Sequence, residues 1–148
     1  MCAGSADPED VIPQPIGSPG TVLVIDDEES TGRMVRRHLR GWPVTQVFSI
    51  GAVTEELVAR VAPLLVLLDL NLGDTSYPDP LRANPFQGSF ALARRLRQQL
   101  PSLPIVIFSA CSNPDNPFAA QLAGAGFLSK LDAAEGLGLL RRRLEEQR

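Results

Sequence analysis

The stretch LLVLLD, Leu64 to Asp69, is a run of bulky apolar residues that stops on a carboxylate. It has the length of a strand, and it carries no polar alternation. A strand apolar on both faces is covered on both sides, as in the middle of a parallel sheet packed between helices. Similar runs precede other polar residues. TVLVI (Thr21–Ile25) is followed by Asp26 and Asp27, IVIF (Ile105–Phe108) by Ser109, and GFLS (Gly126–Ser129) by Lys130. In a parallel α/β sheet the carboxyl ends of the strands share one edge, and ligands bind there. Asp26, Asp27, Asp69, Ser109 and Lys130 are therefore expected to meet in one cleft.

Between these runs the pattern alternates. Helices are expected over Ser30–Arg40, with Ser30 as N-cap and Gly41 as stop, then over Gly51–Val61, Ser89–Leu100, Phe118–Ala123 and Ala133–Gln147. A further strand is expected at Val44–Phe48. Repeated strand–helix alternation implies a parallel sheet with right-handed crossovers. Residues 1–20 hold Pro8, Pro13, Pro15 and Pro19 among glycine, serine and acidic residues, the composition of a mobile tail. Residues 21–148 form the expected domain.

Bulk composition narrows the class. The chain has 148 residues, 44% hydrophobic and 21% charged, as in an ordinary soluble single domain. Its formal net charge of −3 points to neither nucleic acid nor an anionic membrane as partner. The arginines at 141–143 are followed by Glu145 and Glu146 and read as a solvated helix face. No apolar run approaches the length of a membrane span, and the N-terminus lacks a signal-peptide pattern. Cys2 and Cys111 lack metal-ligand spacing and fit a reducing, cytoplasmic setting.

A single aspartate after a strand is usually a turn residue or a helix cap. Asp26, Asp27 and Asp69 in one cleft are different, because like charges repel and desolvation worsens the repulsion. A cation relieves it, and hard oxygen ligands favour Mg²⁺. Asp69, at the end of the central strand, has the place of a nucleophile toward phosphorus. Lys130 would neutralise the transferring group, and Ser109 would donate a hydrogen bond to it. No glycine fingerprint follows the first strand, which excludes a dinucleotide-binding reading.

VLVIDDEES, LLVLLDLNLGD, IVIFSA and GAGFLSK, in this order, resemble the receiver domains of two-component response regulators over Thr21 to about Gln147. The resemblance implies a flavodoxin-like, doubly wound α/β fold with a five-stranded parallel sheet in the order 2-1-3-4-5. It implies Asp69 as phosphoacceptor. Asp27 and Asp69 would bind Mg²⁺ directly, Asp26 through water, and Asn71 through its backbone carbonyl. Ser109 would be the switch hydroxyl, Phe127 the switch aromatic and Lys130 the phosphate-binding lysine. The implied partners are a histidine kinase or histidine phosphotransfer protein and a downstream protein whose identity stays open. The chain departs from the family in a long proline-bearing loop over residues 73–88, in Leu131 where proline is typical, and in the stiff entry NPDNP to a short fourth helix. An aspartyl-phosphate phosphatase of the haloacid dehalogenase type is an alternative. It needs a second aspartate where this chain has Asn71, and an amide is no general acid. A degenerate receiver serving only as a binding module is the other alternative, and the full acidic set weighs against it.

Overall fold

The computed structural model describes residues 20–70, 87–110 and 115–146. Strands and helices alternate along the chain: β1 (Thr21–Ile25), α1 (Glu29–His38), β2 (Val44–Val47), α2 (Glu55–Val61), β3 (Pro63–Leu68), α3 (Gln87–Gln99), β4 (Ile105–Ser109), α4 (Asp115–Leu122), β5 (Gly126–Ser129) and α5 (Ala133–Glu146). The strands form one sheet in the order β2-β1-β3-β4-β5, with every neighbouring pair parallel. This is the expected doubly wound arrangement. The strand order turns around at β1 and β3, so a crevice opens at the carboxyl ends of these two strands.

Each strand divides its side chains between two cores, as the period of two requires. Leu23, Ile25, Val66, Leu68, Ile105 and Ile107 point to one face, where they meet Val58 of α2, Phe90, Ala93 and Leu96 of α3, and Ala120 of α4. Val22, Val24, Leu65, Leu67 and Phe108 point to the other, against Val35 and Leu39 before and after the end of α1, Trp42, and Leu137 and Leu144 of α5. Trp42, just past the end of α1, is buried. Gly136 lets α5 lie close to the sheet. A Cβ there would stand 2.9 Å from Leu128 Cγ, too near for the two to coexist without a shift.

The local differences from expectation have local causes. Ser30 does not cap α1. The helix begins one residue earlier, with Glu28 at the N-cap and no side-chain cap bond, and it ends at His38. The helix expected over Gly51–Val61 is two pieces, a 3₁₀ turn at Ile50–Ala52 and α2. Thr54 divides them, because its Oγ1 accepts the Leu57 N–H at 3.0 Å and starts a new helix with Glu55 and Glu56 in its first turn. β2 stops at Val47, leaving Phe48 exposed. β4 runs on to include Ser109. Residues 1–19 of the expected tail, Asn71, residues 73–86 of the long loop, and Cys111 lie outside the described residues.

Candidate functional site

Register decides which side chains share the cleft. Ile25 pairs with Leu68, so the next residues, Asp26 and Asp69, leave β1 and β3 side by side. The Asp69 N–H donates to the Ile25 carbonyl at 2.9 Å, and the Asp26 N–H donates to the Val47 carbonyl at 3.0 Å. Ser109 pairs with Ser129, which sets Lys130 one residue beyond the end of β4. Lys130 opens a 3₁₀ turn over Lys130–Asp132, which Ser129 caps by accepting the Leu131 N–H at 3.1 Å.

Lys130 is the link. Its Nζ lies 2.7 Å from Asp26 Oδ2 and 3.4 Å from Asp69 Oδ1. Neighbouring strands are about 4.8 Å apart. An ammonium rooted after β5 therefore reaches carboxylates of β3 and β1 only through a long side chain laid across β4. On the way it passes Phe108 of β4, whose ring centroid is 5.9 Å from Nζ. Lys130 is also the chain's sole lysine, and the other basic side chains are arginines or His38. A flexible stem with a compact charge suits a reach of this kind better than a planar guanidinium.

Burial sharpens the electrostatics. Asp26 is 1% exposed, Asp69 4% and Ser109 1%. Two carboxylates out of water at one strand edge are tolerable only with compensation, and the ammonium between them supplies it. Burial by itself would lower the Lys130 pKa. The hydrogen bond to Asp26 and the charges of Asp69 and Asp26 outweigh that, so the pKa rises above the ordinary 10.5 and the side chain stays cationic at neutral pH.

Asp27 and Glu28 continue the chain past Asp26 and are exposed. Among the described residues, the carboxylates whose oxygens lie within 4.8 Å of one another belong to Asp26, Asp27 and Glu28. Asp69 is tied to this group through Lys130. Of the expected trio, Asp26 and Asp27 stand in this group together with an unexpected neighbour, Glu28, while Asp69 is not one of its members. The acidic run DDEE contained the signal, although the residue's direction depends on how the loop turns. Asn71, the expected carbonyl ligand, lies outside the described residues.

Two more side chains shape the site without having stood out in the sequence. Ser89, buried in the first turn of α3, donates to the Asp69 carbonyl at 2.8 Å and approaches the Leu70 carbonyl at 3.3 Å. It braces the backbone that carries Asp69. Gln46 of β2 donates to the carbonyls of Asp26 and Glu28, each at 2.9 Å. A serine at a helix start and a glutamine in an edge strand have many ordinary uses, so neither was legible in advance. Phe127 on β5 is half-buried and packs against the core beneath α2, α3 and α4.

The arrangement holds a buried carboxylate beside a fixed ammonium, with a hydroxyl on the neighbouring strand and an open acidic loop alongside. No protein-family model matches the chain. Over 110 residues it is 33% identical to the probable transcriptional regulatory protein TcrX of Mycobacterium tuberculosis H37Rv, covering 73% of this chain and 42% of that protein. Over 126 residues it is 30% identical to the DNA-binding transcriptional regulator NtrC of Escherichia coli K12, covering 83% of this chain and 24% of that protein. The chain thus spans less than half the length of these curated relatives. The crystal structure of the receiver domain of NtrX from Brucella abortus superposes with a TM-score of 0.66 at 28% identity, covering 86% of this chain and 99% of that one.

The chain is a response-regulator receiver domain. The BeF3-activated DrrB receiver domain is alike in fold, with a TM-score of 0.68 at 19% identity over 87% of this chain. Within this receiver, Asp26, Asp69, Ser109 and Lys130 gather at the carboxyl edge of the sheet. No helix among the described residues is long and apolar enough to cross a membrane.

Proposed function

We propose that this receiver is the phosphoacceptor of a two-component system or phosphorelay, with Asp69 taking a phosphoryl group from a histidine kinase or a histidine phosphotransfer protein. The single observation that supports it most is the Lys130 bridge, with an ammonium 3.4 Å from Asp69 Oδ1 and 2.7 Å from Asp26 Oδ2. In the transfer an Asp69 oxygen attacks phosphorus, the phosphorus–nitrogen bond of the donor histidine breaks, and the imidazole leaves with its electron pair. Such a step asks the protein for position and charge neutralisation more than for covalent chemistry. Lys130 neutralises one phosphoryl oxygen and Ser109 donates a hydrogen bond to another. Ser89 keeps the Asp69 backbone in place.

The donor set fits a hard divalent cation: clustered carboxylates, partly open to water. Asp26, Asp27 and Asp69, and by the family resemblance the Asn71 carbonyl, would hold Mg²⁺, which when bound offsets the negative charge of carboxylates and phosphate.

An acyl phosphate adds roughly −1.5 to −2 charges to the cleft. Ser109 is drawn toward that charge, and Phe127 turns into the space released, reshaping the surface of α4, β5 and α5 for a downstream protein. Driving such an equilibrium from mostly off to mostly on takes about 5.5 kcal/mol of differential stabilisation. The receiver unit covers residues 21–148, acts in the cytoplasm, touches neither nucleic acid nor membrane directly, and consumes its donor once per chain without turning over esters.

The test is incubation with a small phosphodonor and Mg²⁺, followed by intact mass. One acid-stable, base-labile phosphoryl adduct is expected on the wild type and none on Asp69→Asn. A wild type that acquires no adduct would return the chain to a binding module. Sustained phosphate release from a simple ester would favour the phosphatase.

A further inference from the structure

The acidic loop between β1 and α1 is held from the neighbouring strand by one side chain. Gln46 lies beside Val24 in the β1–β2 register. Its Nε2 donates to the carbonyl of Asp26 and to that of Glu28, both at 2.9 Å. These carbonyls flank Asp27, so the amide grips the loop on either side of that residue. Within the loop, Asp26 Oδ1 accepts the Glu28 N–H at 2.9 Å and closes a tight turn. The backbone that carries Asp26, Asp27 and Glu28 is thus fixed from outside and from within.

Gly32 explains how Gln46 gets there. It is buried in α1, where glycine is an unfavourable helix residue. A Cβ at position 32 would stand 2.9 Å from Gln46 Cδ and nearer still to Oε1. The helix therefore accepts a poor helix former at the one place where the Gln46 amide passes.

We infer that Gln46 is a positioning residue for the divalent cation, holding the carboxylates of Asp26, Asp27 and Glu28 in one group before the cation arrives, with Gly32 as the space that admits it. The inference rests on the reading of this loop as the Mg²⁺ site. Clustered carboxylates repel one another, and a loop released from Gln46 would let them spread. A cation would then have to order the loop as it binds, at a cost in affinity. Groups that orient metal ligands from behind act in this way.

The test is a calorimetric Mg²⁺ titration of the full chain, paired with thermal unfolding in chelator. Gln46→Met keeps the length of the side chain and removes both donors. It should raise the Mg²⁺ Kd about 10- to 100-fold, and it should speed amide exchange at Glu28. Gly32→Ala, which displaces the amide, should weaken Mg²⁺ binding and lower the melting temperature. The double variant Gln46→Ala/Gly32→Ala decides between positioning and mere packing. With no long side chain to collide with, it should regain the melting temperature lost by Gly32→Ala, yet it should stay weak toward Mg²⁺. Wild-type affinity in Gln46→Met, or recovery of affinity together with stability in the double variant, overturns the inference and leaves the phosphoacceptor reading intact. A wild type that shows no saturable Mg²⁺ binding overturns the cation site itself, and this inference with it. Should Gln46→Met fail to fold, the double variant alone gives the decision.

Discussion

The two ends of the same strands are built on opposite principles. At the amino end of the sheet, Pro63, Leu64, Leu100, Pro101, Leu103 and Pro104 line a shallow apolar groove. Leu103 is 5% exposed and feeds the core under α3, and its N–H donates to the Leu100 carbonyl at 3.0 Å. The Val66 N–H is satisfied by the Pro104 carbonyl at 3.0 Å. At the carboxyl end, Asp26, Asp69 and Ser109 are as thoroughly buried as the leucines, and a bridging ammonium holds the carboxylates together. The amino end is stabilised by removing apolar surface from water, which no change of pH or ligand reverses. The carboxyl end depends on charge compensation, so its stability is sensitive to any change of charge there. The proposed phosphoacceptor site is at the end whose stability is conditional.

Breaking the compensation should have the largest effect. Lys130→Met removes the ammonium that Asp26 and Asp69 share in their buried setting, and we expect a loss of about 3 kcal/mol in urea unfolding at neutral pH without metal. Mg²⁺ should restore part of that loss in the variant by mass action. The same bridge has a pH signature. The folded-state pKa of Lys130 is raised above the ordinary 10.5. Its contribution to stability is therefore complete below the unfolded value and is lost as pH rises through the folded one. Unfolding measured above pH 10.5 should show wild-type stability falling toward that of Lys130→Met, and a constant gap between the two would contradict the bridge.

At the other end of the strands, Leu103→Ala should cost about 2–4 kcal/mol through the cavity it leaves. The folded fraction should still take up phosphate at the wild-type rate, which is the sharpest contrast with Lys130→Met. Ser89→Ala is intermediate. Removing a buried hydroxyl from the carbonyls of Asp69 and Leu70 should cost about 1–2 kcal/mol. It should also slow formation of the acyl phosphate, measured as adduct against time by intact mass. Arg141→Ala breaks the exposed pair with Glu145, 3.0 Å apart on α5. It should change the unfolding free energy by less than about 0.5 kcal/mol, and a larger loss would mean that α5 depends on its charged face.

Much of this was legible in the chain. Short unbroken apolar runs such as LLVLL and TVLVI are stable only as strands covered on both faces, and a polar residue at the end of each marks the sheet edge where it emerges. That logic placed Asp26, Asp69, Ser109 and Lys130 together without any knowledge of distances. Helix starts were less legible. Ser30 and Thr54 are both good caps by type, yet Thr54 caps and Ser30 does not, because the turn after Asp26 begins the helix a residue earlier. Ser89 and Gln46 were not legible as parts of the site. Each acts on a backbone carbonyl far along the chain, and side-chain type alone says nothing about which carbonyl that will be.

By itself the order of residues determined the strands, the edge on which the polar groups that end them stand and the charge those groups bring there. These follow from local hydrophobicity and from side-chain type, which need no partner to be read. Only the tertiary structure decided that one ammonium would serve both buried carboxylates, that Glu28 would join the acidic group, and that Gln46 would pass over Gly32 to grip the loop. These depend on register between strands and on the room between a strand and a helix, distances that exist only once the chain has packed.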